Sequence, residues 1–438
     1  MVERGVTEQS GTQDPDVLTF IVRLGAAMSE MGEPSSIVQE RLVKVALAFG
    51  IDAARVSAFP TYFMVSMGSG EPVVLELTTA FGVQLRLDQF AAIDRLVGDA
   101  EQGLVTAGVG LRRLEEISTS APRFGRPMSV LGYCILTVGL CLILHPTASD
   151  VAAAAVFGVV VGLLRTLATT RPNLQVLMPV LAAFLVSVLA ATAVEHDWID
   201  PALRAVVASL VVFLPGATLT TAVLELAANQ IVSGASRLVA GAVQLALLAF
   251  GILAGVEAVG VPSSTVLTVG GQRLGDWAPW LGVLVFAVGV AGAHSAPKWA
   301  LPMLLVVLYT AWIGQLIGNI VLGGYVSAFV GAAAMTPMAY LVGRHPPAMP
   351  ARASFLPGFW LLVPGALGLI GLTELAGDAD AAGTNDLVAT VSSIFAVAIG
   401  VLCGTLMIAG AESTRAWLTT SGVTAAPRAL WRRRSSSD

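Results

Sequence analysis

Two stretches of the chain share a motif in which Pro-Gly-Ala is followed by Glu-Leu, ten residues after the Pro. The first is LPGATLTTAVLEL at Leu214–Leu226, and the second is VPGALGLIGLTEL at Val363–Leu375. The copies are 149 residues apart, and the thirty ungapped positions from Leu214 contain ten identities. Chance would give about a third of that number in a chain so rich in Ala, Val, Leu and Gly, so the sequence predicts an internal repeat.

The proline in each motif predicts a break in a helix. Pro215 and Pro364 fall within long apolar segments, where a residue without an N–H crowds the preceding turn. A break would start a half-helix at Gly216 and another at Gly365, and the free N–H groups of a first turn carry a partial positive charge. We expect these helix starts to bind a substrate carboxylate. The alternative is that Pro and Gly only kink closely packed helices, which membrane helices tolerate.

Hydroxyl groups follow the Pro-Gly of the first copy alone. Thr218 and Thr221 are predicted to contact substrate, and Thr220 lies between them. The two halves are therefore not expected to contribute equally, because the second copy replaces these threonines with Leu367, Leu369 and Ile370.

Other polar side chains inside apolar segments are further candidates. Glu225 and Glu374 are repeat-matched acids near the ends of their segments, where we expect the charge to reach water. They are either interfacial helix-end acids or groups that couple protons or bind an ammonium group. Gln315 and Asn319, one helical turn apart, and Gln244 either line a polar path or form hydrogen bonds between helices.

The remaining residues of chemical interest are given no role. The four histidines, His145, His196, His294 and His345, fall at predicted loop edges, and no spacing suggests a metal site. The three cysteines lie in apolar runs and are expected to be buried by packing. No cofactor is expected, and nothing points to a nucleic acid as a partner.

The composition predicts a polytopic membrane protein. The chain has 438 residues, of which 55% are hydrophobic and 12% are charged, and its mean hydropathy is +0.80. A soluble domain of residues 1–125 is expected first, because no apolar run there is long enough to cross a bilayer. Ten apolar segments of span length follow, at about 128–145, 151–168, 173–194, 205–227, 234–258, 277–295, 300–319, 322–343, 355–377 and 386–411.

The ten segments form two sets of five. Adding 149 to the start of each of the first five gives the start of one of the last five, to within a residue for four of them and three residues for the fifth. We therefore predict one five-helix repeat at 126–262, a second at 263–413, and a basic tail at 414–438. An odd number of spans per repeat inverts the second copy, which is a common construction of secondary transporters. Channels and scaffolds are the alternatives.

Lys and Arg set the predicted orientation, because they favour cytoplasmic loops. They alternate with nearly uncharged or acidic loops such as HPTASD and GDADAAGTND. Both ends of the chain are thus expected in the cytoplasm. The basic residues assigned to that side are Arg112, Arg113, Arg123, Arg126, Arg165, Arg171, Arg237, Lys298, Arg344, Arg352, Arg415, Arg428 and residues 432–434.

The soluble domain is predicted to be a small α/β or α+β unit. Asp14-Pro15 and Glu33-Pro34 signal two helix starts, and LDQFAAIDRLVGDAEQ and LRRLEEI predict two later helices. RVSAFPTYFMVSM and EPVVLEL are predicted as two strands of a hairpin separated by GSG. Nothing here resembles a phosphate loop, a nucleophile elbow or a metal cluster, so the chain is not expected to be an enzyme.

The sequence resembles the threonine/serine exporter family over almost its whole length. GEPSSIVQERLVKVALAFGI and the hairpin resemble the family's cytosolic domain, whereas LPGATLTTAVLELAANQIVSGASRL and LVPGALGL resemble its membrane motifs. One departure is Ile37-Val38-Gln39, where the family pattern has Arg-Val-Glu, and it weakens an enzymatic interpretation of the cytosolic domain.

The resemblance implies a multi-pass protein of the bacterial cytoplasmic membrane that exports threonine and serine by means of the proton motive force. Its partners would be the small-molecule substrate and the lipid bilayer. Whether the chain forms a homo-oligomer is left open. One alternative is export of a dicarboxylate such as succinate. Another, from a different class, is a membrane-anchored enzyme or sensor, although ten spans are more than an anchor needs.

Overall fold

A computed structural model of the chain describes residues 15–51, 54–67, 74–77, 85–169, 172–268, 273–323, 326–344, 350–362 and 380–420. These residues are mostly helical, and a small sheet lies near the N-terminus. We call residues 15–119 the N-terminal domain and residues 126–420 the membrane part.

The N-terminal domain has an α+β fold. Its helices α1 and α2 begin at Pro15 and directly after Pro34, as predicted, because proline fits the start of a helix. Phe20 and Phe63 are fully buried in its core. Its elements are α1 (Pro15–Glu30), α2 (Ser35–Ala48), β1 (Ala54–Ala58), β2 (Tyr62–Met67), β3 (Val74–Leu77), α3 (Leu87–Glu101) and α4 (Ala107–Thr119).

The sheet has three strands where the sequence predicted two. The run RVSAFPTYFMVSM is split between β1 and β2, which pair antiparallel with Ala58 opposite Phe63. The prediction of one strand was wrong because Pro60 has no N–H for a ladder and lies in the turn, where Phe59 N–H donates to the Tyr62 carbonyl over 3.0 Å. The predicted pairing with EPVVLEL is confirmed, because β2 pairs antiparallel with β3.

The described residues of the membrane part are mostly helical. The helices are α5 (Arg126–Ile143), α6 (Ala148–Ala168), α7 (Pro172–Glu195), α8 (Leu203–Leu210), α9 (Gly216–Ala227), α10 (Ile231–Glu257), α11 (Ser263–Val266), α12 (Ala278–Ala293), α13 (Ala300–Leu322), α14 (Ser327–Gly343), α15 (Ala351–Leu362) and α16 (Asp380–Thr420).

Length and composition suit these helices to a bilayer. Among the described residues, six helices are long and apolar enough to cross a membrane, and one further candidate is the bent pair Leu203–Phe213 and Gly216–Ala227. Shorter apolar helices lie at Ala278–Ala293, Ser327–Gly343 and Ala353–Leu362. Large apolar side chains on the long helices are exposed, which is typical of surfaces that face lipid.

Two helix pairs are built alike, residue by residue. On α10, Gly255 lies against the Phe184 carbonyl and the Ser187 side chain of α7. On α16, Gly404 lies against the Ala333 carbonyl and the Thr336 side chain of α14. Each residue of the second pair stands 149 positions after its counterpart in the first. Small residues allow such close helix approach, so both pairs use the same packing solution.

A third glycine-lined interface joins α5 to α12. Gly132 of α5 lies against Ala293, and Gly139 lies against Phe286, so the two helices run antiparallel. From the other side, Gly282 lies against Ile143 and Gly289 against Leu136. The contacts of one helix are thus mirrored on the other, and the backbones approach where no side chain intervenes.

Replacing a glycine of this interface by alanine is expected to destabilise the protein. A Cβ at Gly139 would collide with the backbone of Phe286, and overpacking of this kind costs about 1–3 kcal/mol. Gly98 in α3 is the matched control, because nothing lies within 4 Å of a Cβ there and alanine favours a helix by about 1 kcal/mol. Thermal unfolding should therefore show opposite signs for Gly139→Ala and Gly98→Ala. Equal shifts would contradict the close approach.

Candidate functional site at the break in the membrane part

The first Pro-Gly motif breaks its helix, as predicted. Helix α8 passes into a 3-10 turn (Val211–Phe213), Leu214 is extended, and α9 begins at Gly216 with its axis bent by 56° from that of the preceding helix. Pro215 contributes to the break, because it lacks an N–H and disfavours helical geometry in the residue before it. We call residues 211–215 the Pro215 break.

The break leaves backbone groups outside the helical ladders. The N–H of Leu219 donates to the carbonyl of Pro215 over 2.8 Å, so the N–H groups of residues 216–218 precede the ladder of α9. On the other side of the break, the Phe213 carbonyl accepts a 2.6 Å hydrogen bond from Nε2 of Gln244. Gln244 thus ties α10 to the break, which is the hydrogen-bonding role considered for it.

The threonines of the motif differ in their surroundings. Thr218 is half-buried, whereas Thr220 and Thr221 are buried on α9. The Oγ1 of Thr220 has no hydrogen-bond partner in the described structure. A buried hydroxyl without a partner costs free energy, so this face of α9 has a polar group available to a ligand. The substrate roles of Thr218 and Thr221 stay predictions.

Glu225 is buried, and the expectation that its charge would reach water is wrong. Its side chain is 0% exposed in its ion pair with Arg237, whose Nε lies 3.1 Å from Oε2. Oε1 accepts a 2.8 Å hydrogen bond from the backbone N–H of Ser35, at the start of α2. Arg237 also donates to the carbonyl of Glu33 over 3.2 Å. The N-terminal domain therefore covers the end of α9. We call these four residues the Glu225 network.

The N-terminal domain docks at a second point, around the C-terminal end of α12. The N–H of Leu87, at the start of α3, donates to the His294 carbonyl over 3.0 Å. Arg123, in the connection to the membrane part, donates to the Ala296 carbonyl over 2.9 Å. Both domain contacts use backbone groups at helix ends, which would otherwise need water or a capping side chain.

No contact among the described residues brings Gln315 or Asn319 of α13 to the Pro215 break. Gln315 is half-buried and its Cβ lies near Gly331 of α14, and Asn319 is exposed beside the exposed Ile320. Their assignment to a polar path stays a prediction. Pro364, Gly365 and Glu374 of the second motif lie outside the described residues, and so do residues 421–438 of the basic tail.

Sequence reasoning missed a cluster beside the break, which we call the aromatic cluster: Tyr133, Phe213, His294 and Trp360, with Arg165. The Cζ of Arg165 lies 5.0 Å from the ring centroid of Tyr133 and 5.7 Å from that of Phe213. The His294 ring lies 5.9 Å from Tyr133 and 5.5 Å from Trp360. A signal was present, since His145 and His294 are separated by the same 149 residues as the motif.

The predicted orientation assigned no side of the membrane to Arg204. This residue lies at the end of the membrane part that is away from the N-terminal domain. The structure pairs it with Asp150, with Nη1 and Oδ2 3.3 Å apart and both residues buried. Asp150 Oδ2 also accepts a 2.9 Å hydrogen bond from the N–H of Thr147. A basic residue that is buried and paired does not have to follow the rule for exposed loop charges.

Apolar helices and a broken span beside buried polar groups define a multi-pass membrane protein. The family model of the threonine/serine exporters, ThrE, matches residues 19–259, which include the N-terminal domain apart from its first four residues, and the Pro215 break. The chain belongs to this family. No curated protein matches the chain. No solved structure matches it.

Proposed function

We propose that the protein is a secondary transporter that exports threonine and serine across the cytoplasmic membrane, driven by the proton motive force. The observation that carries this proposal is the break at Pro215, inside the region that matches the exporter family. Broken helices near the middle of the bilayer are a construction by which transporters form substrate sites, because they free backbone N–H and carbonyl groups there.

The membrane part would consist of two inverted five-helix repeats. Two features support this arrangement. Helices α7 and α10 pack through the same positions, offset by 149, as α14 and α16. Helices α5 and α12, which would be the first of each repeat, pack antiparallel with mirrored contacts. An inverted pair of halves has two equivalent ways to close, one toward each side of the membrane.

The N-terminal domain would then be a regulator and not an enzyme. It binds α9 through the Glu225 network and the end of α12 through Leu87, so its docking restrains elements of both halves. Any movement of α9 relative to α2 must break the hydrogen bond between Ser35 and Glu225. Incubating the purified protein with amino acids or peptides should yield no product, and product formation would favour the enzymatic alternative.

Cysteine labelling tests the inverted topology on which the transport mechanism depends. Single cysteines at Ala148 and Ala381, at the starts of α6 and α16, are expected to react with a membrane-impermeant thiol reagent outside intact cells, because the stretches HPTASD and GDADAAGTND around them lack Lys and Arg. A cysteine at Ala348, next to Arg344 and Arg352, is expected to react only after the cells are opened. The background chain would have its native cysteines replaced. Equal labelling of all three positions in intact cells would rule out the arrangement.

A further inference from the structure

The aromatic cluster lies where the two halves of the membrane part meet. Its members come from α5, α6, the 3-10 turn before Pro215, the residue after α12, and α15. Phe213 precedes Pro215 by two residues, and Trp360 precedes Pro364 by four. The cluster therefore connects the segments that lead into both Pro-Gly motifs. A movement of either segment would change the contacts within the cluster.

His294 is a buried polar group in this cluster whose ring is incompletely satisfied. It is only 7% exposed, and its Nε2 has no hydrogen-bond partner within the described structure. Leaving such an atom unsatisfied costs free energy, and packing alone would be served better by an apolar ring. A buried nitrogen of this kind is explained if a ligand supplies its partner in the bound state.

Arg165 supplies the matching charge beside the same tyrosine. Its guanidinium lies against Tyr133, and the His294 ring meets Tyr133 edge to face. A guanidinium is planar, stays charged and binds a carboxylate through two parallel N–H groups. Neighbouring aromatic rings limit the access of water to such a contact. A cation and a ring nitrogen in the same cluster favour an anionic oxygen pair over a cation, because Arg165 already lies over the rings of Tyr133 and Phe213.

We propose that Arg165 and His294 bind the carboxylate of the transported substrate, in a site between the two halves beside the Pro215 break. This inference rests on the proposed transport function and names the group of the substrate that is recognised. Arg165 binds the two oxygens, and His294 Nε2 donates to one of them. The start of α3 lies against the site on the side of the N-terminal domain, because the Leu87 N–H donates a hydrogen bond to the His294 carbonyl.

Binding to the purified full-length chain tests the site, with L-threonine and L-threoninamide, in which a neutral amide replaces the carboxylate, as probes. The wild-type chain should bind threonine more tightly than threoninamide. Arg165→Gln should weaken threonine binding roughly 10- to 100-fold, the effect of losing a charged hydrogen bond, and should abolish the preference over threoninamide. Arg126→Gln is the matched control, because Arg126 is exposed and lies outside the cluster, and it should bind threonine as the wild type does.

His294→Phe separates a ligand-binding role from a packing role. It keeps an aromatic ring against Tyr133 and Trp360 and removes the unsatisfied nitrogen. We expect the ligand-free protein to be at least as stable as the wild type to heat, and threonine to bind several-fold more weakly. Higher stability with unchanged affinity would show that His294 only packs, and would overturn its part of the inference.

The outcomes distinguish the site from the substrate. If the wild type binds succinate but neither threonine nor serine, the proposed substrate is wrong, and loss of succinate binding in Arg165→Gln would still support the site. Normal binding in both Arg165→Gln and His294→Phe overturns the site whatever the substrate. If Arg165→Gln does not fold, Arg165→Lys replaces it, because lysine keeps the charge but lacks the planar guanidinium. Unchanged threonine affinity in both Arg165→Lys and His294→Phe would also overturn the proposed site.

Discussion

Pro215→Ala is expected to abolish most transport while the protein remains folded. Alanine restores an N–H at the break, so α8 and α9 can join into one helix and the N–H groups of residues 216–218 enter its ladder. In a helix interior, alanine is favoured over proline by up to about 3 kcal/mol, so stability should hold or rise. Transport rate and thermal stability are measured on the same preparation. The repeat predicts the same result for Pro364→Ala.

The matched control is Pro179→Ala, which removes a proline from inside α7, where the helix continues without a break. Its transport should stay near the wild-type rate. If Pro215→Ala transports as fast as Pro179→Ala, the motif only serves packing, and the substrate site has to be sought outside the Pro-Gly motif, at Arg165 and His294 or at Gln315 and Asn319.

Arg237→Met is expected to cause the largest loss of stability. It leaves Glu225 buried without its cation, and breaking a buried ion pair in this way costs about 3–5 kcal/mol. Adding Glu225→Leu to Arg237→Met should recover much of that loss, because no buried charge then remains. The free energy of unfolding is measured in detergent for the single and double variants.

Arg113→Met is the control for this prediction. It breaks the ion pair with Asp99, whose side chains are 51% and 42% exposed, and such exposed pairs contribute about 0–1 kcal/mol. Arg237→Met should also speed hydrogen exchange at the start of α2, where the Ser35 N–H loses its ordered acceptor, whereas Arg113→Met should not. A loss as small as that of Arg113→Met, with unchanged exchange, would mean that the Glu225 network does not hold the domain.

Local chemistry made part of the fold predictable. Pro215 signalled the break, because a residue without an N–H weakens its own helix, although α7 continues through Pro179, so a proline does not break a helix in every setting. The helix starts at Pro15 and Pro34 follow for the same kind of reason. The strand prediction was wrong at Pro60 because the whole run RVSAFPTYFMVSM was assigned to one strand. Pro60 itself indicated a turn.

Contacts between distant segments could not be predicted in this way. Glu225 was expected to reach water because its span ends nearby, but the group that covers it is Ser35, 190 residues earlier. Nothing in either segment signals that pairing. His294 was given no role because it lies at a loop edge, and its burial depends on Tyr133 and Trp360 from two other helices. Site residues made by tertiary packing need the structure.

Export from proteoliposomes is the direct test of the proposed transport of threonine and serine. Liposomes that contain the purified chain are loaded with labelled threonine, serine or succinate, and the outside is made acidic. Threonine and serine should leave faster with the pH gradient than without it, succinate should not leave, and liposomes without the protein should retain all three. Protein-dependent efflux of succinate alone, or no protein-dependent efflux of threonine and serine, would contradict the proposed transport.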